Sequence, residues 1–95
     1  MKEAEMVGKA QRLRESATEL EQKIVETKTR DYFLRPVING LDDVEKFLLP
    51  NARKSATHSI MWLEAAAFML EQSEARLNFA KEMVSRYGTS LQLVG

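Results

Sequence analysis

The 95-residue chain has no cysteine and only one histidine, four glycines and two prolines. Without cysteine it can form no disulfide, no thiolate metal site and no cysteine nucleophile. A single histidine excludes zinc sites built on two or more imidazoles. Few glycines and prolines disfavour a hairpin-rich β protein. The sequence also lacks a phosphate-binding glycine loop, a nucleophile elbow and paired Glu-x-x-His motifs. We therefore predict a protein that is not an enzyme, with no cofactor and no metal.

The charges are balanced, with 14 basic and 14 acidic residues and a formal net charge of zero. The lack of a basic excess disfavours DNA as a partner, because nucleic-acid binding draws on a positive surface. No apolar stretch reaches the 18 residues needed to span a membrane. Residues 1–10 alternate charged and small side chains and lack the apolar core of a signal peptide. These features predict no membrane partner and a cytoplasmic protein, in the host cytoplasm if the source is viral.

What the first part of the sequence does contain is a helical repeat. Its apolar residues recur at alternating intervals of four and three: Met6, Ala10, Leu13, Ala17, Leu20 and Ile24. This spacing is typical of a helix that buries one stripe, and strong helix formers lie between the apolar positions. Pro36 disfavours helix at the residue before it and lacks an amide hydrogen. We predict one helix over about residues 3–34 that ends or kinks near Pro36.

Two further helices follow from the positions of the helix breakers. Asn39 and Gly40 interrupt the pattern and Pro50 interrupts it again, which predicts a short helix over about 40–49. From Ala52 to Tyr87 there is neither proline nor glycine. This predicts a long helix over 52–87, followed by a tail over 88–95. The predicted fold is a single all-α domain over 1–95, a helical hairpin of two long helices with a short middle helix.

The long helix carries more apolar surface than this arrangement can cover. Between Ile60 and Leu70 it is apolar almost all round, and such a helix needs partners on several sides. Two antiparallel helices bury one stripe each, and a short middle helix covers only part of what remains. The sequence therefore predicts self-association of the hairpin into a helical bundle or a ring, and thus a homo-oligomer.

Basic residues concentrate around the predicted bend between the two long helices. If those helices are antiparallel, seven residues lie at one end and are candidate ligand-binding residues: Arg53, Thr57, Lys54, His58, Tyr32, Arg35 and Lys28. Basic groups, hydroxyls and a stacking ring together suit a ligand that combines a phosphate with a base. An alternative stays open, in which the cations only solvate a loop and the aromatic rings cap the core.

The segment Arg53-Lys54-Ser55-Ala56-Thr57-His58, which runs into Met61-Trp62-Leu63-Glu64-Ala65, resembles a known family. The family is that of the phage anti-CBASS cyclic-oligonucleotide sponges, which are small and almost entirely helical. The resemblance implies a symmetric oligomer that binds cyclic di- or trinucleotides between subunits without cutting them. Such binding sequesters the second messenger and blocks host antiviral signalling. By the same resemblance, Arg53 and Thr57 would face the phosphate of the ligand.

The excess apolar surface of the long helix supports a different hypothesis. That surface could dock another protein, which would make the chain a helical protein–protein interaction module or a structural adaptor. The sequence thus leaves two non-catalytic functions open. One is sequestration of a cyclic oligonucleotide by an oligomer, and the other is association with a protein partner.

Overall fold

The computed structural model describes residues 2–88, which contain helices and no β-strand. The elements are α1 (Glu3–Lys23), α2 (Thr27–Asp43), a π-helical turn (Val44–Leu48), α3 (Leu49–Lys54) and α4 (Ser59–Tyr87). Because α2, the π turn and α3 follow one another without a break, they form one helical rod, here called the middle rod. The molecule measures 50 × 19 × 15 Å and its buried residues form one core. The predicted all-α class is confirmed.

Helix α1 forms where the repeat predicts it and ends earlier than predicted. All six residues of the predicted apolar stripe, from Met6 to Ile24, are buried. The helix stops at Lys23 because Ile24 adopts an extended backbone, with φ −102° and ψ 115°. Ile24 and Val25 are both β-branched, and such residues lose side-chain freedom in a helix. The prediction of one helix over 3–34 is therefore wrong, since the connection 24–26 divides it.

The middle rod continues through the residues that were expected to interrupt it. Helix α2 contains Pro36, and the predicted short helix over 40–49 is only part of a rod that runs from Thr27 to Lys54. The reason is a stripe with heptad spacing, all of it buried: Leu34, Val37, Leu41, Val44 and Leu48. Burying this stripe outweighs the one backbone hydrogen bond that Pro36 removes.

The π turn lies directly before the second proline. The Leu49 amide donates to the Val44 carbonyl five residues earlier, which makes the turn wider than an α-helical one. Pro50 has no amide hydrogen, and its ring would crowd the carbonyl four residues earlier in a regular helix. Widening the helix at this point accommodates the ring. Asn51 adds a hydrogen bond from its side-chain amide to the Phe47 carbonyl at 2.7 Å. Pro50 therefore does not end the rod.

Helix α4 begins seven residues later than predicted and ends where the sequence suggested. The chain leaves α3 at Ser55, whose backbone is extended, and the Ser55 hydroxyl accepts a hydrogen bond of 2.9 Å from the His58 amide. The predicted helix over 52–87 is thus shortened to Ser59–Tyr87. Its buried residues form what we call the core stripe: Ala66, Leu70, Ser73, Leu77, Ala80 and Val84. Of the predicted tail 88–95, only Gly88 lies among the described residues.

Three rods replace the predicted hairpin of two long helices and a short one. The middle rod runs antiparallel to α4, since Phe33 meets Phe79 near one end and Phe47 meets Trp62 near the other. Gly40 and Ser73 meet between them, and a β-carbon on Gly40 would lie only 2.3 Å from the Ser73 hydroxyl oxygen. Because this rod is long, it covers much of the α4 surface that was expected to need another chain.

Candidate functional site

The structure divides the predicted ligand-binding residues between two places. One group lies near the start of α2 and the other around the connection from α3 to α4: Lys28, Tyr32 and Arg35 in the first, and Arg53, Lys54, Thr57 and His58 in the second. The helical rod between Lys28 and Arg53 is 25 residues long, or about 38 Å at 1.5 Å per residue. The two groups therefore do not converge within one chain. They were expected to meet because the first helix was predicted to end at a bend near residue 35.

Two of these cations have carboxylate partners within the chain. Arg53 forms an ion pair with Glu3, which ties the end of α3 to the start of α1. Arg35 lies 3.4 Å from Asp31, one turn earlier on the exposed surface of α2. Tyr32 is 76% exposed, so its ring does not cap the core. The role of these residues toward a phosphate-bearing ligand stays a prediction.

The aromatic side chains are the most unusual feature of the molecule. All seven lie among the described residues, and none of them is buried. The core is built from alanine, leucine, isoleucine, valine and methionine instead. Six of the seven line the side formed by the middle rod and α4, and we call this surface the aromatic face: Tyr32, Phe33, Phe47, Trp62, Phe68 and Phe79. Aromatic residues on a surface are a frequent mark of protein interfaces.

A first aromatic cluster lies at the end of this face near the start of α2. The Tyr32 and Phe33 rings meet edge to face with centroids 5.1 Å apart. The Phe33 and Phe79 rings are 6.0 Å apart and tilted by 45°. Together with Pro36 and Arg76, these three rings line a shallow cavity. Since Tyr32 and Phe79 are both more than half exposed, the cluster still offers apolar surface to a partner.

A second aromatic cluster lies at the opposite end of the face. The Phe47 ring, on the π turn, packs edge to face against the Trp62 ring of α4 at 5.5 Å. Phe47 is 53% exposed, and Met61, which precedes Trp62, is 50% exposed. The start of α4 therefore carries a second uncovered apolar area on this face.

Polar side chains separate the two aromatic clusters. A groove between α2 and α4 is lined here by Pro36, Asn39, Asp43, Phe68, Gln72 and Arg76, among others. Phe68, which is 59% exposed, is the large exposed apolar side chain in this stretch, while Met69 beside it is partly buried. The aromatic face thus has two apolar ends and a mixed centre.

The part of the face that belongs to α4 has a regular spacing of its own. Six positions recur at alternating intervals of four and three residues and form what we call the face stripe: Met61, Ala65, Phe68, Gln72, Ala75 and Phe79. On a helical wheel this stripe lies almost opposite the core stripe. The segment from Ile60 to Leu70 is apolar almost all round, and this hides the stripe in the sequence. The alternating intervals of four and three residues between Met61 and Phe79 are the signal by which the stripe could be found in the sequence.

A cluster on α1 joins that helix to the middle rod. The Arg14 guanidinium donates to Glu45 Oε1 at 2.6 and 3.0 Å and to Asp42 Oδ1 at 2.8 Å. Burial alone would lower the pKa of Arg14, but the hydrogen bonds to the two carboxylates outweigh it and raise the pKa above its ordinary value. The cluster keeps α1 against the π turn, and Lys46 adds a further ion pair to Asp42 at 3.7 Å.

Between residues 2 and 88 no group of three or more histidine, cysteine, aspartate or glutamate side chains could hold a metal ion. Ser73 is the buried polar side chain in this range, and its hydroxyl donates to the Val37 carbonyl at 3.4 Å. No helix in the described part of the chain is long and apolar enough to cross a membrane.

Comparison with protein-family models, with curated proteins and with solved structures gave no match in any of the three. The resemblance to the cyclic-oligonucleotide sponges therefore rests on the quoted residues alone.

Proposed function

We propose that this chain is a non-catalytic helical association module that self-associates through its aromatic face and so acts as a structural or adaptor protein. The observation that carries the proposal is the placement of the aromatic residues. A chain of this length has a small core, and aromatic side chains are the most effective at filling one. Here Tyr32, Phe47, Phe68 and Phe79 stand more than half exposed on one side of the molecule, where a second surface can bury them. Phe33 and Trp62, on the same side, pack partly against the core.

The size of the exposed apolar area supports the same proposal. Tyr32, Phe47, Phe68, Phe79 and the adjoining Met61 are between 50% and 76% exposed. At roughly 150–250 Å² for a large aromatic side chain, these five leave on the order of 600 Å² uncovered at the two ends and the centre of the face. A standard interface buries about 800 Å² on each partner, of which somewhat more than half is apolar. The aromatic face, with its polar centre, is therefore of the size that one protein interface needs.

Analytical ultracentrifugation with surface variants tests the proposal. We expect the wild-type chain to sediment as more than one copy at micromolar concentration. We expect Phe68→Glu to sediment as a single chain with unchanged helical circular dichroism, because it places a charge within the face. Val25→Glu is the matched control, since Val25 is 54% exposed but lies in the connection after α1. A wild-type chain that stays single up to millimolar concentration would contradict the proposal.

Capture of a cyclic di- or trinucleotide is the second candidate function. It draws support from Lys54, Thr57 and His58, which are exposed beside the first turn of α4, where backbone amide hydrogens are free. Calorimetry with a panel of cyclic di- and trinucleotides is the test, with Lys54→Ala as the variant. Heat from the wild type that Lys54→Ala abolishes would support this function, and absence of heat with the whole panel would remove it.

A further inference from the structure

We infer that the partner on the aromatic face is a second copy of the chain whose α4 runs parallel to the first, in register, about a two-fold axis along the helices. This inference rests on the proposed function, because it specifies how the self-association takes place. It follows from the face stripe and from the charged residues on either side of it.

The spacing of the face stripe is that of a coiled-coil seam. In heptad notation Ala65, Gln72 and Phe79 occupy the a positions, and Met61, Phe68 and Ala75 occupy the d positions. In a parallel pair, each of these residues faces its own copy on the partner. Every layer then joins side chains of equal size.

Gln72 favours the parallel orientation over the antiparallel one. In a parallel pair its side-chain amide faces the partner's Gln72, and each amide can both donate and accept a hydrogen bond. In an antiparallel pair with the same seam, Gln72 would face the partner's Phe68 and lose its hydrogen bonds on burial. A single polar residue at an a position is also a known way to fix the register of a pair.

The charges beside the seam favour the same orientation. Glu71 occupies a g position and Arg76 the following e position, and both side chains are exposed. In a parallel pair the g residue of one helix meets the e residue five positions later on the other. Glu71 then meets the partner's Arg76, twice by symmetry. In the antiparallel pair Glu71 would meet the partner's Glu71, and the like charges would repel.

Charge reversal tests this arrangement without disturbing the core. Two attractive pairs become repulsive in Glu71→Arg and in Arg76→Glu, so we expect each variant to weaken self-association by about tenfold. The double variant E71R/R76E restores the pairs with exchanged signs, and we expect it to recover most of the wild-type affinity. Sedimentation at low and at high salt measures the loss of affinity in the single variants and its recovery in the double variant. Failure of the double variant to recover the affinity would overturn the inference.

Disulfide cross-linking gives an independent result, since the natural chain has no cysteine. We expect Ala75→Cys alone to form a covalent dimer under mild oxidation, because residue 75 faces itself in the parallel pair. An antiparallel pair would instead cross-link only a mixture of Ala65→Cys and Ala75→Cys, which would overturn the inference while leaving the proposed function intact. A wild-type chain that never self-associates would contradict both this inference and the proposed function.

Discussion

Helix α4 carries two stripes with the same heptad spacing and different composition. In the core stripe small residues alternate with large aliphatic ones, in the order Ala66, Leu70, Ser73, Leu77, Ala80 and Val84. The face stripe carries two phenylalanines, a methionine and a glutamine among its positions, and it is largely exposed. Both stripes are typical of helix packing, so periodicity alone cannot say which one is buried within the chain.

The difference between the stripes follows from the distance at which each partner helix packs. Small residues in the core stripe let the middle rod approach α4 closely enough for Gly40 to touch Ser73. A phenylalanine at such a position would hold the two helices apart. The large aromatic rings therefore stand where no helix of the same chain has to approach closely. Folding and association thus depend on opposite sides of one helix, and substitutions can test them separately.

The largest expected effect on folding comes from the centre of the core stripe. Leu70 is fully buried. Leu70→Ala removes its contacts and leaves a cavity, so we expect a loss of about 2–5 kcal/mol in the free energy of unfolding. Urea denaturation at low protein concentration measures this for the single chain. The control is Ile60→Ala, where the side chain is 73% exposed and the expected change is within about 0.5 kcal/mol. Equal effects at the two positions would contradict the assignment of Leu70 to the buried core stripe.

The next effect concerns the close contact between α2 and α4. Gly40→Ala would place its β-carbon 2.3 Å from the Ser73 hydroxyl oxygen. We expect this crowding to cost about 1–2 kcal/mol, partly offset by the better helix propensity of alanine.

Ser73→Ala provides the matching background for the same substitution. It removes the hydroxyl oxygen, and the nearest remaining atom is the residue 73 β-carbon at 3.7 Å, an ordinary contact distance. In that background we expect Gly40→Ala to be neutral or to stabilise by up to about 1 kcal/mol. Thermal and urea unfolding of the four proteins give the coupling free energy. If Gly40→Ala has the same effect in both backgrounds, the contact does not limit the approach of the helices.

How well each helix can be predicted from the sequence also depends on its apolar stripe. The α1 stripe from Met6 to Ile24 was predictable because only Ala4 and Val7 add apolar side chains outside it on that helix. The middle rod was not, because Pro36 and Pro50 carry local signals for a helix boundary that are strong taken alone. The stripe from Leu34 to Leu48 overrode both through burial, which depends on α1 and α4 and is invisible in a short window.

The residues of the candidate site were harder to predict from the sequence than the helices. The sequence predicts a bend that brings Lys28 and Arg35 close to Arg53, but the continuous middle rod separates them. The aromatic face escaped notice because aromatic residues at helical spacing usually belong to a core. The π turn that carries Phe47 was not foreseen, because Pro50 indicates a helix end rather than a wider helical turn.

A smaller effect is expected where α1 meets the π turn, away from both stripes of α4. Arg14→Met keeps much of the side-chain length and removes the ion pairs to Asp42 and Glu45. We expect a loss of about 1 kcal/mol, since the group is partly exposed to solvent. The raised pKa of Arg14 keeps it charged well above neutral pH, so its contribution is present below its ordinary pKa and is lost only at extreme alkaline pH. The difference between wild type and Arg14→Met should therefore stay constant from about pH 6 to about pH 9 and shrink with added salt.

The smallest effect on the single chain is expected from Phe68→Ala, and it gives the sharpest contrast with Leu70→Ala. The two residues lie two positions apart on the same helix, but Phe68 is 59% exposed and Leu70 is buried. Phe68→Ala loses little burial within the chain and gains helix propensity, so the free energy of unfolding should change by less than about 1 kcal/mol. Self-association should weaken strongly, because the ring would lie at the centre of the seam. Urea unfolding of dilute protein and sedimentation of concentrated protein measure the two quantities separately. If dilute Phe68→Ala unfolds as easily as Leu70→Ala, the ring supports the fold of the single chain, and the aromatic face is not a surface kept for a partner.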